Sequence, residues 1–260
     1  MKYFMDLNHL LEKLKNGEIE VDEASKQIRL GNIHTLSEIS NIDPCRMKRT
    51  GIPEAIFSDG KNPDDLANIA MEHLKHEGRA ILTRVSEEQL TVLKQKHTVE
   101  WNKYARIAIL RADGFQVHKT GGAIGIITAG TVDVPVAEEA RIIALEMGVA
   151  VHTIYDVGAA GIHRLFSPLE DIIGKDIDAI IVAAGREGTL PTIVSGIVDV
   201  PVIGLPVSSG YGAGGSGTAA LYTMLQSCSV LSVVNIDAGF VAGAFAARIA
   251  NVVAEARRKE

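Results

Sequence analysis

The sequence is poor in cysteine, in aromatic residues and in basic charge. Only two cysteines, Cys45 and Cys228, occur among 260 residues, which sets no disulfide framework. Aromatic residues make up 5%, so the core must be built from Ala, Val, Ile and Leu. The net charge is −6 and there is no basic stripe, which argues against nucleic-acid binding. The sequence also lacks an unbroken apolar run of roughly 18 residues and a signal-peptide core. We therefore expect a soluble, cytoplasmic protein with reduced thiols, which binds neither nucleic acid nor a membrane.

Composition and glycine content divide the chain. Apolar residues are 47% and charged residues 22%, which is typical of a globular protein. Of 25 glycines, 19 lie in residues 121–260, and that part holds 8 basic and 14 acidic residues, whereas residues 1–120 hold 18 of each. We predict a domain over 1–120 and a second domain over 121–260.

The N-terminal part has the pattern of a mixed α/β domain. Apolar residues at helical spacing predict a helical pair over 7–16 and 21–30. Asn62-Pro63 and Gly78 mark the start and end of a helix over about 63–77, and Ser86 to Gln89 has capping-box spacing. Short apolar runs predict strands at 54–57, 80–85 and 105–111.

In the C-terminal part, short apolar runs alternate with helical patterns. This alternation predicts an open parallel sheet with helices on both faces, that is, a three-layer, doubly wound α/β fold. Ligands of such sheets bind beyond the carboxyl ends of the strands. The predicted strands are 123–128, 149–154, 179–184, 200–205 and 230–236, the predicted helices are about 134–147, 158–173, 188–197, 217–226 and 238–257, and the loops to inspect are 128–135, 155–163, 185–191, 206–217 and 236–240.

Two of these loops have the composition of ligand-binding segments. The amides of Gly130 and Thr131, before a helix, could form an anion pocket, or Asp133 could merely cap that helix. Five glycines lie within 210–217, and such a segment usually lets the backbone approach a ligand or move over one. It matches neither the Walker A motif nor the dinucleotide fingerprint.

Two residues are candidates for catalysis. Glu187, beside Arg186 between two glycines, is the best placed general acid or base, although the two charges could also be a solvated pair. Cys228 is either a small buried hydrophobic residue or a nucleophile, and the second role requires a lowered thiol pKa or an adjacent base.

Several segments in combination resemble the LarB family, the carboxylase/hydrolases that begin synthesis of the nickel-pincer nucleotide cofactor. The resemblance covers nearly the whole chain. It rests on 130–139 (Gly-Thr-Val-Asp-Val-Pro-Val-Ala-Glu-Glu), 156–163 (Asp-Val-Gly-Ala-Ala-Gly-Ile-His), 184–191 (Ala-Gly-Arg-Glu-Gly-Thr-Leu-Pro), 227–229 (Ser-Cys-Ser), 234–240 (Val-Asn-Ile-Asp-Ala-Gly-Phe), 49–54 (Arg-Thr-Gly-Ile-Pro-Glu) and 59–61 (Asp-Gly-Lys).

The resemblance implies a dinucleotide substrate, nicotinic acid adenine dinucleotide, carboxylated at ring position 5 with CO2 or bicarbonate as co-substrate. Hydrolysis of its phosphoanhydride then gives pyridinium-3,5-biscarboxylic acid mononucleotide and AMP. The chemistry suits Cys228 as a reversible nucleophile on the ring and Glu187 as the base. A divalent metal such as Mg2+, held by Asp133, Asp156 or Asp237, could assist the hydrolysis. No prosthetic group is expected. The candidate substrate-binding residues are Gly130, Thr131, Asp133, Asp156, Gly185, Arg186, Ser208, Gly210, Tyr211, Gly212 and Asp237.

The C-terminal part more distantly resembles the aminoimidazole ribonucleotide carboxylase/mutase family. That resemblance implies a flavodoxin-like sheet and octamers with sites at subunit junctions. The Ala/Gly-rich segment 240–247 also favours a homo-oligomer through close helix contacts. Histidines of that family are replaced here, by Thr189 and by the loop around Tyr155 and Asp156, which speaks against imidazole ribonucleotide chemistry. A purine-type carboxylase or mutase and a non-catalytic nucleotide-binding regulator remain the alternatives.

Overall fold

The computed structural model describes residues 7–30, 34–36, 40–42 and 46–259. Contacts divide the chain into two units. The first comprises 1–82, 86–99 and 109–115, and the second comprises 83–85, 100–108 and 116–260. Compared with the predicted division after residue 120, the short segments 83–85, 100–108 and 116–120 are grouped with the second unit. Cys45 lies outside the described residues.

The N-terminal elements confirm the predicted helical pair and the helix from Pro63, and they add a short helix and three strands that the apolar pattern did not predict. The four strands β3, β4, β6 and β5 form a sheet in that order, and β1 pairs with β2. The elements are α1 (Leu7–Lys15), α2 (Val21–Leu30), β1 (His34–Leu36), β2 (Ser40–Ile42), α3 (Arg46–Thr50), β3 (Ala55–Phe57), α4 (Pro63–Glu77), β4 (Arg79–Thr83), α5 (Glu87–Lys96), β5 (Glu100–Asn102) and β6 (Ile107–Arg111).

The ends of α4 and α5 follow the predicted capping signals. The Asn62 side chain accepts a hydrogen bond from the Asp64 amide at 2.9 Å, and Gly78 ends α4 in the left-handed conformation with φ 71°. Ser86 and Gln89 form the reciprocal capping box at the start of α5. The Gln89 amide group also donates to the Ser58 carbonyl at 2.7 Å, so this cap anchors a neighbouring loop.

The second unit contains a five-stranded, all-parallel sheet with the order β11-β10-β9-β7-β8. This confirms the predicted fold class and is the flavodoxin-like order. Ile127 of β7 lies opposite Ile154 of β8 on one side and Val182 of β9 on the other. The strands are β7 (Ala123–Thr128), β8 (Ala150–Ile154), β9 (Ala179–Ala184), β10 (Val202–Pro206) and β11 (Ser232–Val233), and the helices are α6 (Val134–Glu146), α7 (His163–Ile173), α8 (Leu190–Ser195), α9 (Thr218–Leu225) and α10 (Gly239–Arg257).

The central strand β9 is buried along its whole length and separates two helical layers. Its Ile180 and Val182 belong to the core cluster that α7, α8 and α9 cover with residues such as Leu165, Leu190 and Met224. Helices α6 and α10 pack against each other and against the sheet. A parallel sheet covered by helices explains why its strands read as continuous apolar runs.

Helix α10 packs closely on α6 through small residues. A Cβ on Gly243 would clash with the Ala140 carbonyl oxygen of α6, and one on Gly239 with that of Val136. The Ala/Gly-rich stripe is therefore used inside the subunit. By length and composition alone α10 could span a membrane, and 44% of it is buried here, where it contributes to the α/β core.

The last strand is shorter than the apolar run 230–236 predicted. Only Ser232 and Val233 are in register with β10. The chain nevertheless stays beside β10, because the Val234 amide donates to the Gly204 carbonyl and the Asp237 amide to the Pro206 carbonyl. Val230 is 95% exposed, so it does not take part in the sheet.

Candidate functional site

The loops that follow β7, β8, β9 and β10 meet at the carboxyl ends of the strands and enclose a cavity of about 250 Å3. This is the position at which a doubly wound sheet binds ligands. The cavity is lined by Ala129, Gly130, Val132, Asp133, Gly158, Ala159, Ala160, Arg186, Glu187, Ser209, Gly210 and Tyr211.

Asp133 connects its own loop, after β7, to the loop after β10. Its side chain is only 3% exposed, with Oδ2 accepting from the Gly130 amide and Oδ1 from the Ser209 hydroxyl, both at 2.8 Å. Burial raises the pKa of Asp133, and the hydrogen bonds from Ser209 and Gly130 oppose that rise. Asp133 occupies the N-cap position of α6 without bonding an amide of that helix, and its bond from Gly130 closes the preceding single turn, residues 131–133, so the capping alternative stays open. The Gly130 N–H donates to Asp133 and therefore does not offer a hydrogen bond to an anion. Gly130 lines the cavity without binding a ligand through its amide.

Two predicted glycines permit the close approach of these loops. A Cβ on Gly185 would clash with the Ser209 hydroxyl and lie 2.9 Å from Asp133 Oδ1. A Cβ on Gly210 would clash with the Gly185 carbonyl oxygen. These positions accept no side chain without a shift of the backbone, so the glycines shape the cavity floor.

The rim of the cavity carries the charged and aromatic candidates. Glu187 is exposed in the cavity lining, and its charge contributes to the raised pKa of Asp133. The Arg186 guanidinium lies 4.7 Å from the centroid of the Tyr211 ring. This cation–π contact connects the loop after β9 to the glycine-rich loop. The cavity lining therefore includes a carboxylate, a cation and an aromatic ring.

The other two predicted aspartates occupy strained positions in the flanking loops. Asp156 has φ 62° and Asp237 has φ 54°, a region that few residues other than glycine adopt. Asp156 Oδ2 accepts from Arg164 at 3.3 Å, and Asp237 Oδ1 accepts from the Ser208 amide at 2.8 Å. Hydrogen bonds therefore help to fix both loops.

These aspartates do not gather into one metal-binding group. Within the described part of the chain, Asp133, Asp156 and Asp237 do not form a set whose ligand atoms lie within 4.8 Å of one another. Each makes its own hydrogen bonds, and both oxygens of Asp133 already accept from the protein. Metal binding by these residues stays a prediction.

The second catalytic candidate, Cys228, lies at the opposite end of the same sheet. It occupies the bend between α9 and β11, beside the amino ends of the strands, and its side chain is exposed. The Ser227 hydroxyl, which bonds Thr192 near the end of α8 at 2.9 Å, supports this bend. A strand of five or six residues is about 17–20 Å long. One chain therefore does not bring Cys228 to Glu187.

Several buried polar residues near the site were not predicted from the sequence. Glu138 accepts hydrogen bonds from Arg141, from the Tyr155 hydroxyl at 2.6 Å and from Asn102 at 2.8 Å. Burial would raise the pKa of Glu138, but these hydrogen bonds outweigh it and lower the pKa. The segment 130–139 gives no sign of this network, because two of its donors, Tyr155 and Asn102, lie 17 and 36 positions away from Glu138.

Glu139, the next residue, is buried beneath the loop 236–240. Burial raises its pKa to about 7, while the charge of Arg84 and the Phe240 amide oppose the rise. The Arg84 guanidinium also donates to the Asp237 carbonyl at 3.4 Å. This carboxyl therefore changes charge near neutral pH directly under a loop of the site.

The cavity thus assembles only part of the predicted binding set. Gly130, Asp133, Arg186, Gly210 and Tyr211 line it together with Glu187. Others support the lining loops without lining the cavity, as Gly185 does from below and Asp237 through Ser208. The predicted residues outside the lining are Thr131, Asp156, Gly185, Ser208, Gly212, Asp237 and Cys228.

Comparison with known proteins supports the resemblance. Residues 34–112 match the model of the LarB/PurE-like N-terminal domain, and residues 123–260 match that of AIR carboxylase. The uncharacterized protein MJ0165 of Methanocaldococcus jannaschii is 42% identical over 255 residues, 95% of this chain and 98% of that protein. The N5-carboxyaminoimidazole ribonucleotide mutase of Thermotoga maritima is 32% identical over 90 residues, 33% of this chain and 50% of the mutase.

Proposed function

The chain belongs to the LarB-like family, in which an AIR carboxylase-like domain follows a LarB/PurE-like N-terminal domain, and from this premise we propose its reaction. It carboxylates nicotinic acid adenine dinucleotide at ring position 5 with CO2 or bicarbonate. It also hydrolyses the phosphoanhydride, giving pyridinium-3,5-biscarboxylic acid mononucleotide and AMP.

One observation carries the proposal: an acidic side chain, a cation and an aromatic ring rim a glycine-floored cavity at the carboxyl ends of the strands. Arg186 supplies positive charge for a phosphate or carboxylate of the substrate, and the Tyr211 ring offers a face on which a planar ring can stack. Glu187 supplies the base at the same rim.

The chemistry needs a nucleophile that leaves again. A thiolate adds to a carbon of the electrophilic pyridinium ring, and the addition turns the ring into an enamine that is nucleophilic at carbon 5. Carbon 5 bonds to CO2. Glu187 then takes the proton from carbon 5, the electron pair restores the aromatic ring, and the carbon–sulfur bond breaks to release the thiolate. Separately, water displaces AMP at the phosphoanhydride.

The thiolate comes from Cys228 of a second copy of the chain. Within one chain this exposed thiol and Glu187 lie at opposite ends of the sheet. A homo-oligomer that places the amino end of one sheet beside the carboxyl end of another unites them, and an octamer is the form that the family resemblance implies. The outer side of α10 supplies apolar contact area for such an assembly, with Val241 52%, Phe245 45% and Val252 62% exposed.

An imidazole ribonucleotide carboxylase or mutase is the second candidate, favoured by the match to the Thermotoga mutase. The residues at two positions argue against this candidate. Thr189 directly precedes α8, and Tyr155 is hydrogen-bonded to Glu138. Neither position offers an imidazole group.

Mass spectrometry of the products tests the proposal. The purified protein is incubated with nicotinic acid adenine dinucleotide, 13C-bicarbonate and, in parallel reactions, Mg2+ or a chelator. We expect AMP and a mononucleotide that carries one 13C label. Carboxylated aminoimidazole ribonucleotide from a parallel incubation with that substrate would instead support the mutase. Tight dinucleotide binding with no product would support a regulator.

A further inference from the structure

A second cluster of ionisable side chains lies in the N-terminal unit and takes no part in the proposed reaction. Glu54 directly precedes β3, and His73 and Glu77 lie one turn apart on α4. One ligand atom from each residue lies within 4.8 Å of the other two. Among residues 7–30, 34–36, 40–42 and 46–259, no other group of three His, Cys, Asp or Glu residues meets this distance.

Helix geometry explains why two of the three side chains lie together. Residues four apart on a helix lie on the same face, so His73 and Glu77 point to the same side of α4. The sequence supplies Glu54 from the turn after Gly51, where the chain enters β3. Two separate elements therefore contribute side chains to one point.

His73 is the most unusual member of the cluster. It is only 3% exposed, and within the described residues its imidazole makes no hydrogen bond or ion pair. A buried polar group without a hydrogen bond is costly, and a bound metal ion is one way to satisfy an imidazole nitrogen. Its nitrogen lies in the same group as the two carboxylate oxygens.

The donor set selects the class of metal ion. Mg2+ and Ca2+ prefer oxygen ligands alone, whereas one imidazole nitrogen with two carboxylates suits a transition metal, of which zinc is the commonest structural and catalytic ion. Ligand atoms of a tetrahedral zinc site with bonds of about 2.0–2.1 Å lie roughly 3.4 Å apart. The present group, with its ligand atoms within 4.8 Å of one another, must contract to reach that spacing.

We propose that Glu54, His73 and Glu77 bind one divalent transition metal ion, zinc by ligand type, with a fourth position open to water. The ion ties the segment before β3 to α4. Because metal binding to a folded site adds to the free energy of unfolding, the metal-bound chain is more stable than the metal-free chain.

Metal titration of the full-length protein tests this site. Protein freed of metal by a chelator is titrated with Zn2+, Co2+ and Mg2+, with calorimetry for the stoichiometry and absorption spectroscopy for Co2+. We expect one Zn2+ per chain, a rise in Tm with Zn2+ but not with Mg2+, and a visible Co2+ spectrum of low-coordinate type. The same titration in a Cys228→Ser background removes the exposed thiol as a competing ligand.

Matched variants locate the ion. Glu54→Gln and Glu77→Gln keep size and hydrogen bonding but remove the charge, and each should weaken Zn2+ binding roughly 100-fold or more. Glu72→Gln is the control, because Glu72 lies on the same helix but pairs with Lys75 at 2.6 Å outside the cluster. Circular dichroism establishes that each variant is folded. Absence of Zn2+ binding by the wild-type chain, or equal affinity in Glu54→Gln and Glu72→Gln, would overturn the proposal, and neither result bears on the carboxylation.

Discussion

The two ends of the five-stranded sheet are built in different ways. At the carboxyl ends, side chains of one loop bond the next: Asp133 binds the Ser209 hydroxyl and Asp237 binds the Ser208 amide. At the amino ends, a bend supported by the Thr192–Ser227 hydroxyl pair leaves Cys228 exposed to solvent. The carboxyl ends therefore carry a cavity whose loops are hydrogen-bonded to one another, and the amino ends carry an exposed thiol. The comparison shows that one parallel sheet carries a cavity at one end and an exposed thiol at the other without bringing them together.

Removing the thiol should have the largest effect on the carboxylation rate. Cys228→Ser should reduce carboxylation below detection, because a serine hydroxyl is not ionised near neutral pH and does not leave as a thiolate does. The rate of 13C incorporation measures it, with Cys45→Ser as the control that should change the rate little.

Mixing two impaired variants tests whether the thiol and Glu187 act from different chains. Cys228→Ser and Glu187→Gln chains, dissociated and reassembled together, should regain activity at about one site in four, because some junctions then receive both intact residues. No recovery, with mixed oligomers verified by native mass spectrometry, would contradict a site shared between chains.

Removing the base should have the next largest effect. Glu187→Gln keeps the size and hydrogen bonding of the side chain, so it should still bind the dinucleotide while carboxylation falls about 10²–10⁴-fold. Binding by calorimetry and rate by product release separate these two effects. Unchanged turnover would remove Glu187 from the mechanism.

Adding a methyl group at the cavity floor should lower the carboxylation rate somewhat less than removing the base does. Gly185→Ala forces its Cβ against Ser209 and Asp133, so the loops must separate, and a misplacement of this kind costs roughly 10²-fold in rate. Gly196→Ala is the matched control, because the nearest atom to its added Cβ lies 3.5 Å away. Equal rates and equal melting temperatures in the two variants would show that the convergence of these loops does not matter.

The smallest expected effect is on stability alone and concerns Glu139. Its pKa is raised from 4.5 to about 7 in the folded chain, so the folded state binds the proton more tightly than the unfolded state does. The free energy of unfolding should therefore fall as pH rises from about 5 to 7, by on the order of 3 kcal/mol or less. Urea unfolding at pH 5 and pH 8 measures this, and Glu139→Gln should flatten the difference. An equal pH dependence in the variant would assign it to other groups.

The sequence predicts the regular elements well because their signals are local. The alternating runs of residues 121–260 predict the parallel sheet, and Asn62, Gly78 and Ser86 mark helix ends that the structure confirms. The shortened β11 was not predictable, because an edge run such as 230–236 pairs on one side only and its apolar residues do not reveal where pairing stops.

The site is less predictable because its contacts join distant residues. Asp133 and Ser209 are 76 positions apart, and Glu138 is bound by Asn102 and Tyr155 on either side of it in sequence. Motif resemblance points to the loops that contain Asp133 and Glu187, but a motif does not tell which end of a strand Cys228 will occupy. That follows only from the topology, in which a residue between a helix and the next parallel strand lies at the amino end.

Because Cys228 lies at the far end of the sheet, the proposed reaction should depend on the concentration of the protein itself. If the thiol and the base belong to different chains, a free subunit is inert whatever its folding state, and specific activity should decline on dilution below the dissociation constant of the assembly. Newly made chains would then be inactive until their concentration is high enough for them to associate. Under the proposed reaction, the same arrangement would keep the thiol of an unassembled chain away from its own Glu187, so that a lone chain would bind the dinucleotide without forming a covalent adduct.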